Sequence, residues 1–191
     1  MDTRISLLDS AERAVRQRGF DGFSYADLSK EIGIRKASIH YHFATKADLG
    51  FALIERYAER FFATLADIRN FDGTAAEQLR SYIQIYRDAL AEGEQVCLCV
   101  ALSAGRDGLS TEVLDQLNRF HAESIVWLTE VFERAAQDGS VSGCALPIED
   151  ATAALALVEG AQLLARARKD VSLFDQALAA LIARLATHPV H

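Results

Sequence analysis

The chain has 191 residues, half of them hydrophobic, with 20 Lys/Arg against 27 Asp/Glu and a formal net charge of −7. That length fits one large domain or two small ones with a sizeable core, and the acidic balance at first sight argues against a nucleic-acid partner. Apolar runs fall short of the roughly 18 residues expected of a membrane span, and only Pro147 and Pro189 could interrupt helices, so the sequence reads as all-α.

The first helix is expected from Thr3 to Arg18, where Ile5, Leu8, Ala11 and Val15 recur at helical spacing. Gly19 ends it, and Phe20 and Phe23 begin the packing onto the next two helices. From Phe23 to Leu49 the sequence FSYADLSKEIGIRKASIHYHFATKADL reads as two short helices, a tight turn between them and the start of a third, longer helix. Ser24 is the expected N-cap, with Asp27 at the third helical position as in a capping box. Leu28 and Ile32 share a face, and Gly33 supplies the residue that tolerates the positive φ of a helix-to-helix turn. The helix over 35–43 turns Ile34, Ile39 and Phe43 inward. Arg35, Lys36, Ser38, His40, Tyr41 and His42, with the small Ala37 among them, point out or flank. An apolar anchor opposite basic, hydroxyl and aromatic groups suits a helix that enters a DNA major groove. Thr45 and Asp48 open the long fourth helix, which should reach about Asn70 with Leu49, Leu53, Tyr57, Phe61, Leu65 and Ile68 as its inner stripe.

The body continues as helices. A fifth runs from Thr74, capped with Glu77, to about Glu92, with Leu79, Ile83, Tyr86 and Leu90 on one face and Tyr82 and Ile85 widening it. Residues 94–104 contain VCLCVALSA, apolar nearly all round and expected to be buried. A helix from Ser110 or Thr111 to about Gln137 carries Phe120, His121 and Trp127. The last two helices, about 149–169 and about 171–187, are rich in Ala and Leu. Ser172 and Asp175 are candidate caps for the last. One monomer is not expected to bury both wide faces. Pairing with the same two helices of a second chain would give a four-helix interface.

The stretch Ile39-His40-Tyr41-His42-Phe43 followed by Lys46 resembles the DNA-binding domain of TetR/AcrR-type bacterial regulators, whose helix-turn-helix ends in a Leu-Tyr-x-His-Phe-like string and a Lys. Leu8, Ala11, Gly19 and Phe20 also fall at that family's Leu, Ala, Gly and aromatic positions. Val15 and His40 depart from its usual Phe and Tyr. The resemblance covers residues 3–50 sharply and the remainder only in helix number, length and order. It implies a head over 1–46 that binds DNA and a body over 47–191 that binds ligand and dimerises, about nine helices in all. It places Ser24, His40 and Lys46 at phosphate contacts, and Arg35, Lys36, Ser38 and Tyr41 at bases or further phosphates. His42 fits a packing and hydrogen-bonding role better. A dimer would then read a palindromic operator and be released by a small-molecule effector, with no cofactor.

Charge distribution agrees. Residues 1–46 hold eight Lys/Arg and six Asp/Glu, net +2, and the remainder twelve and twenty-one, net −9. A slightly basic head on an acidic body suits a protein that presents one end to DNA. Candidates for an effector cavity are Tyr57, Phe62, Tyr82, Tyr86, Cys97, Phe120, His121 and Trp127, all equally compatible with plain core. Cys97 and Cys99, two apart, are expected to point to different sides of a helix. They read either as small core residues or as an electrophile or oxidant sensor, with Arg106 a candidate to activate a thiol. The three cysteines fit no zinc pattern, and the N-terminus lacks a signal-peptide layout, so a cytoplasmic protein is expected. An enzyme acting on a small hydrophobic substrate is the rival from another class. No HExxH, GxSxG or P-loop supports it.

Overall fold

The computed structural model describes residues 2–144 and 146–185. Nine α-helices lie among the described residues: α1 (Thr3–Arg18), α2 (Tyr25–Ile32), α3 (Lys36–His42), α4 (Lys46–Asn70), α5 (Ala75–Asp88), α6 (Leu98–Ala104), α7 (Thr111–Asp138), α8 (Pro147–Arg168) and α9 (Ser172–Ile182). The expected all-α class is the observed one, and no described helix is long and apolar enough to cross a membrane. The described chain forms two compact units. The first comprises the chain up to Arg60 with Cys97–Phe120, the second Phe61–Val96 with the chain from His121 onward, so α4 and α7 each contribute to both.

In the first unit α1 packs against α2 and α6. Its core takes Leu7, Leu8, Ala11 and Val15 from α1, Leu28 from α2, Ile39 from α3, Leu49 and Leu53 from α4 and Leu98 and Leu102 from α6, all buried. A charged group is buried with them. Glu12 on α1 accepts hydrogen bonds from Arg56 (2.8 Å) and Arg60 of α4, and Arg56 also reaches Asp9 at 2.8 Å. In the second unit α8 packs on α9 and on α5, around Phe61, Leu65, Tyr82, Tyr86, Phe132, Val158 and Phe174. Buried Gln162 of α8 donates to the Tyr86 carbonyl, so its amide does not go unpaired.

The ends of several helices depart from expectation. α5 stops at Asp88 rather than near Glu92. Ala91, Glu92 and Gly93 take positive φ values of 44°, 56° and 82°, and Gly93 folds back to bond the Leu90 carbonyl at 2.9 Å. A Cβ at Gly93 would lie 3.1 Å from the backbone of Lys169, the left-handed C-cap of α8. At the other end of α5, the Thr74–Glu77 capping box is present, and Asp138 and Ser140 add acceptors for the N–H groups of Ala75 and Ala76. Burial pushes the Asp138 carboxyl up, but hydrogen bonds from the Ala75 N–H and from Ser140 outweigh it and hold the group below its usual value. α6 begins at Leu98, with Cys97 as its N-cap, rather than at Glu94. α8 begins earlier, with Pro147 in its first turn, where the missing N–H costs nothing. The N-terminus of α9 is held by Asp170, which accepts from the Ser172 N–H at 3.0 Å. Asp175 instead forms a two-bond pair with Arg87. The expected end of this helix at Thr187 lies outside the described residues.

Candidate nucleic-acid interface and effector site

The turn between α2 and α3 is built by local chemistry. Ser24 caps α2 through a full capping box with Asp27, whose carboxyl is held below its usual value chiefly by the Ser24 hydroxyl. Gly33 ends α2 in the left-handed conformation (φ 76°, ψ 29°) and returns its N–H to the Ser29 carbonyl. α3 then rests on Ile39 and Phe43, both buried. Its outer side carries Arg35, Lys36, Ala37, Ser38, His40 and Tyr41, all exposed, with Tyr41 86% so. His42 is half-buried and packs edge-on to Tyr41. A concavity of about 510 Å³ is lined by Thr3, Ile34, Arg35, Ala37, Ser38, Tyr41 and His42. Thr3 joins this group from the start of α1, which no motif in the sequence signals.

Tyr25 is the other member the sequence does not single out. Its hydroxyl bridges the carbonyls of Phe43 (3.0 Å) and Thr45 (2.6 Å), so it fixes the turn between α3 and α4 to α2. Burial, reinforced by Asp48, pushes its pKa up to about 12, so the hydroxyl remains a donor. The Tyr25 ring meets His40 edge-on at 4.9 Å, and His40 Nδ1 lies 3.0 Å from the Ala44 carbonyl.

Two residues expected at phosphate contacts also have partners within the protein. The Ser24 hydroxyl donates to Asp27 at 2.7 Å. Lys46 donates to the Phe23 carbonyl at 2.8 Å and lies over the rings of Phe20 (4.8 Å) and Phe23 (4.5 Å). Burial holds its pKa below the usual lysine value. Lys46 thus ties the start of α4 to the loop before α2.

The candidate effector residues are divided between the two units. In the first unit, Tyr57 donates to Cys97 Sγ at 3.1 Å and its ring lies 6.2 Å from Phe120. Burial pushes the Cys97 thiol up. Hydrogen bonds from Cys99, from the Tyr57 hydroxyl and from the N–H groups of Val100 and Cys99 overcome it, and the group sits below the ordinary thiol value. Cys97 and Cys99 therefore meet instead of pointing apart, because Cys97 occupies a cap and not the helix interior. In the second unit, Tyr82 stacks on Trp127 at 5.5 Å and 20°, and Tyr86 lies 5.2 Å from Tyr82. Trp127 also donates to the Leu65 carbonyl at 3.2 Å. Phe62 and Trp127 share an apolar groove of about 580 Å³ with Leu65, Ala66, Ala122 and Val126, and Arg69, Asn70 and Glu123 supply its polar lining. His121 stands apart from this groove, its Nε2 3.2 Å from a carboxylate oxygen of Glu159.

Residues 7–53, which hold this helix-turn-helix, match the family model of the bacterial regulatory proteins of the tetR family. A TetR-family transcriptional regulator from Agrobacterium tumefaciens has 31% sequence identity and a TM-score of 0.89, with 96% of this chain and 97% of that one covered. The chain belongs to the TetR family. It is a transcriptional regulator with a helix-turn-helix head. It is similar over nearly its whole length to the HTH-type transcriptional repressor NemR of Escherichia coli, at 27% identity over 93% of this chain and 91% of that protein. The crystal structure of E. coli NemR in reduced form superimposes with a TM-score of 0.84 over all of both chains. A shorter match, 28% identical over 70% of this chain and 68% of the relative, is to the HTH-type transcriptional regulator CymR of Pseudomonas putida.

Proposed function

We propose that this protein is a cytoplasmic, dimeric repressor whose residues 1–46 bind a palindromic DNA operator and whose body, 47–191, releases it on binding a small molecule. The observation that carries the reading is the two-sided build of α3. Ile39 and Phe43 lock it into the head, while Arg35, Lys36, Ser38 and Tyr41 stand exposed together on the outside. Arg and Lys serve guanine edges and phosphates, and Ser and Tyr serve phosphates or bases. In a dimer two copies of α3 would enter successive major grooves about 34–36 Å apart.

The dimer surface is assigned to the outer faces of α8 and α9. Ile148, Leu163 and Leu164 are exposed and apolar there, with exposed Ala153, Ala156, Gly160, Ala179 and Ala180 between them. Small and branched apolar groups on two helices suit close helix–helix contact with a second copy. The effector is assigned to the apolar groove beside Trp127, whose volume of about 580 Å³ suits a drug-sized molecule. An effector that prefers the DNA-incompetent state by about 1–3 kcal/mol would weaken operator binding roughly 5–150-fold. A second reading is favoured by the Tyr57–Cys97 contact, in which thiol modification at Cys97 replaces a bound effector.

The test uses DNA duplexes enriched by the full-length protein from a random-sequence pool. Lys36→Ala and Tyr41→Ala should leave a folded dimer that no longer distinguishes the enriched duplex from random DNA. Retained selectivity in both variants would remove α3 as the reading element.

A further inference from the structure

We propose that His40 is a proton-linked DNA contact, engaging a backbone phosphate only when its imidazole carries both ring protons. This rests on the proposed DNA-facing role of α3. A carbonyl oxygen can only accept, so the 3.0 Å contact from Nδ1 to Ala44 requires the proton on Nδ1. In the neutral ring, Nε2 then carries a lone pair. Moving the proton to Nε2 would set the Nδ1 lone pair against that of the Ala44 carbonyl. The ring is held from the side by Tyr25, whose hydroxyl is itself fixed between two carbonyls. With the ring held, a neutral His40 turns a lone pair toward solvent, which repels a phosphate oxygen. A proton taken from solvent at Nε2 converts that atom into a donor and adds a positive charge, giving a charge-assisted hydrogen bond to the anion.

The titratable and charged groups around His40 are Tyr25 from α2, Lys36 one turn earlier and Tyr41 and His42 beside it on α3, and Asp48 on the first turn of α4, which acts on Tyr25. Tyr25 stays neutral at physiological pH, and Asp48 accepts from the Thr45 N–H and hydroxyl at 2.9 Å. His40 is thus the exposed imidazole of this cluster, with His42 half-buried beside it.

The sign depends on which state holds the proton more tightly. The complex favours protonated His40, so binding is strongest at low pH and weakens as pH rises through the imidazole range. At the limit each His40 contributes about tenfold in affinity per pH unit, one proton per site. The experiment measures affinity of the full-length protein for its enriched duplex from about pH 6 to about pH 8.5 at fixed ionic strength. Wild type should weaken by severalfold or more per unit. His40→Tyr should bind with a flat profile, because a phenol donates without charge. His40→Phe should be flat and weak throughout, and His42→Asn should keep the wild-type slope. A pH-independent wild type, or the same slope in His40→Tyr, overturns the proposal while leaving α3 as the reading element. Long-range ¹H–¹⁵N spectra of the free protein give a separate check. Neutral His40 should appear as the Nδ1–H tautomer, and the Nε2–H tautomer would overturn the proposal whatever DNA does. Failure to enrich any duplex overturns the reading of α3 and this proposal with it.

Discussion

Replacing Glu12 by Ala should destabilise the first unit by an amount that can be worked from its contacts. Glu12 lies on α1 with its side chain 11% exposed, and three arginines converge on it: Arg56 at 2.8 Å, Arg60, and Arg16 at 3.9 Å. Removing one partner of a fully buried pair costs about 3–5 kcal/mol, because the other charge is left without its counter-ion. Arg56 is not fully stranded. Its side chain is 20% exposed and keeps a second bond to Asp9, itself 56% exposed. Arg60 is 52% exposed, and exposed pairs contribute at most about 1 kcal/mol. The expected loss is therefore about 2–3 kcal/mol. For a chain of this length that is a fall of about 4–12 °C in the thermal midpoint, measured at one protein concentration because dimerisation shifts the midpoint. Glu12→Gln keeps an acceptor and loses the charge, and should fall between wild type and Ala. A double-mutant cycle with Arg56→Met should recover about 1 kcal/mol or more of coupling. A midpoint for Glu12→Ala indistinguishable from wild type, or zero coupling to Arg56, would refute the assignment of this cluster as the link between α1 and α4.

Gly33→Ala should cost about 1–2 kcal/mol, because φ of 76° places a Cβ in the left-handed region although no neighbour obstructs it. Urea denaturation monitored at α2–α3 amides reads it. Acid should weaken the second unit through Asp138. Its folded-state value is depressed, so its contribution is present above the unfolded carboxylate value and is lost as pH falls through the folded one. Asp138→Asn should flatten the stability profile below about pH 4, as read by thermal melts across pH. Tyr57→Phe removes the hydroxyl that bonds Cys97 Sγ, and should slow Cys97 alkylation by a small electrophile, followed by mass spectrometry. An unchanged rate would leave the hydroxyl without influence on the thiol.

Local chemistry was legible in the sequence and distant partnership was not. Thr3 and Arg18 bound α1 as the periodicity and Gly19 imply, and both Ser24–Asp27 and Thr74–Glu77 form the capping boxes their spacing announces. These signals lie within a few residues of what they specify. The end of α5 sits against Lys169, and Asp175 pairs with Arg87, so a window of one helix length contains neither partner. Cys97 became a cap because the helix starts at Leu98, four residues later than the expected Glu94, which brings Cys97 and Cys99 together. The exposed residues of α3 reflect its short amphipathic pattern. The engagement of Lys46 with the Phe23 carbonyl does not, since a polar residue's type says nothing about which partner takes its proton. The aromatic candidates divide into a stack on Trp127 and a cluster at Tyr57 for a similar reason. Composition names the residues that can line a pocket, and packing decides which of them do.

The central claim is that two copies of α3 read DNA from one dimer. Hydroxyl-radical footprinting of the enriched duplex tests it most directly. Two protected patches on one face, with centres about 10–10.5 base pairs or a multiple apart, both lost in Tyr41→Ala, are the predicted result. A single patch, or a footprint unchanged by Tyr41→Ala, would contradict it.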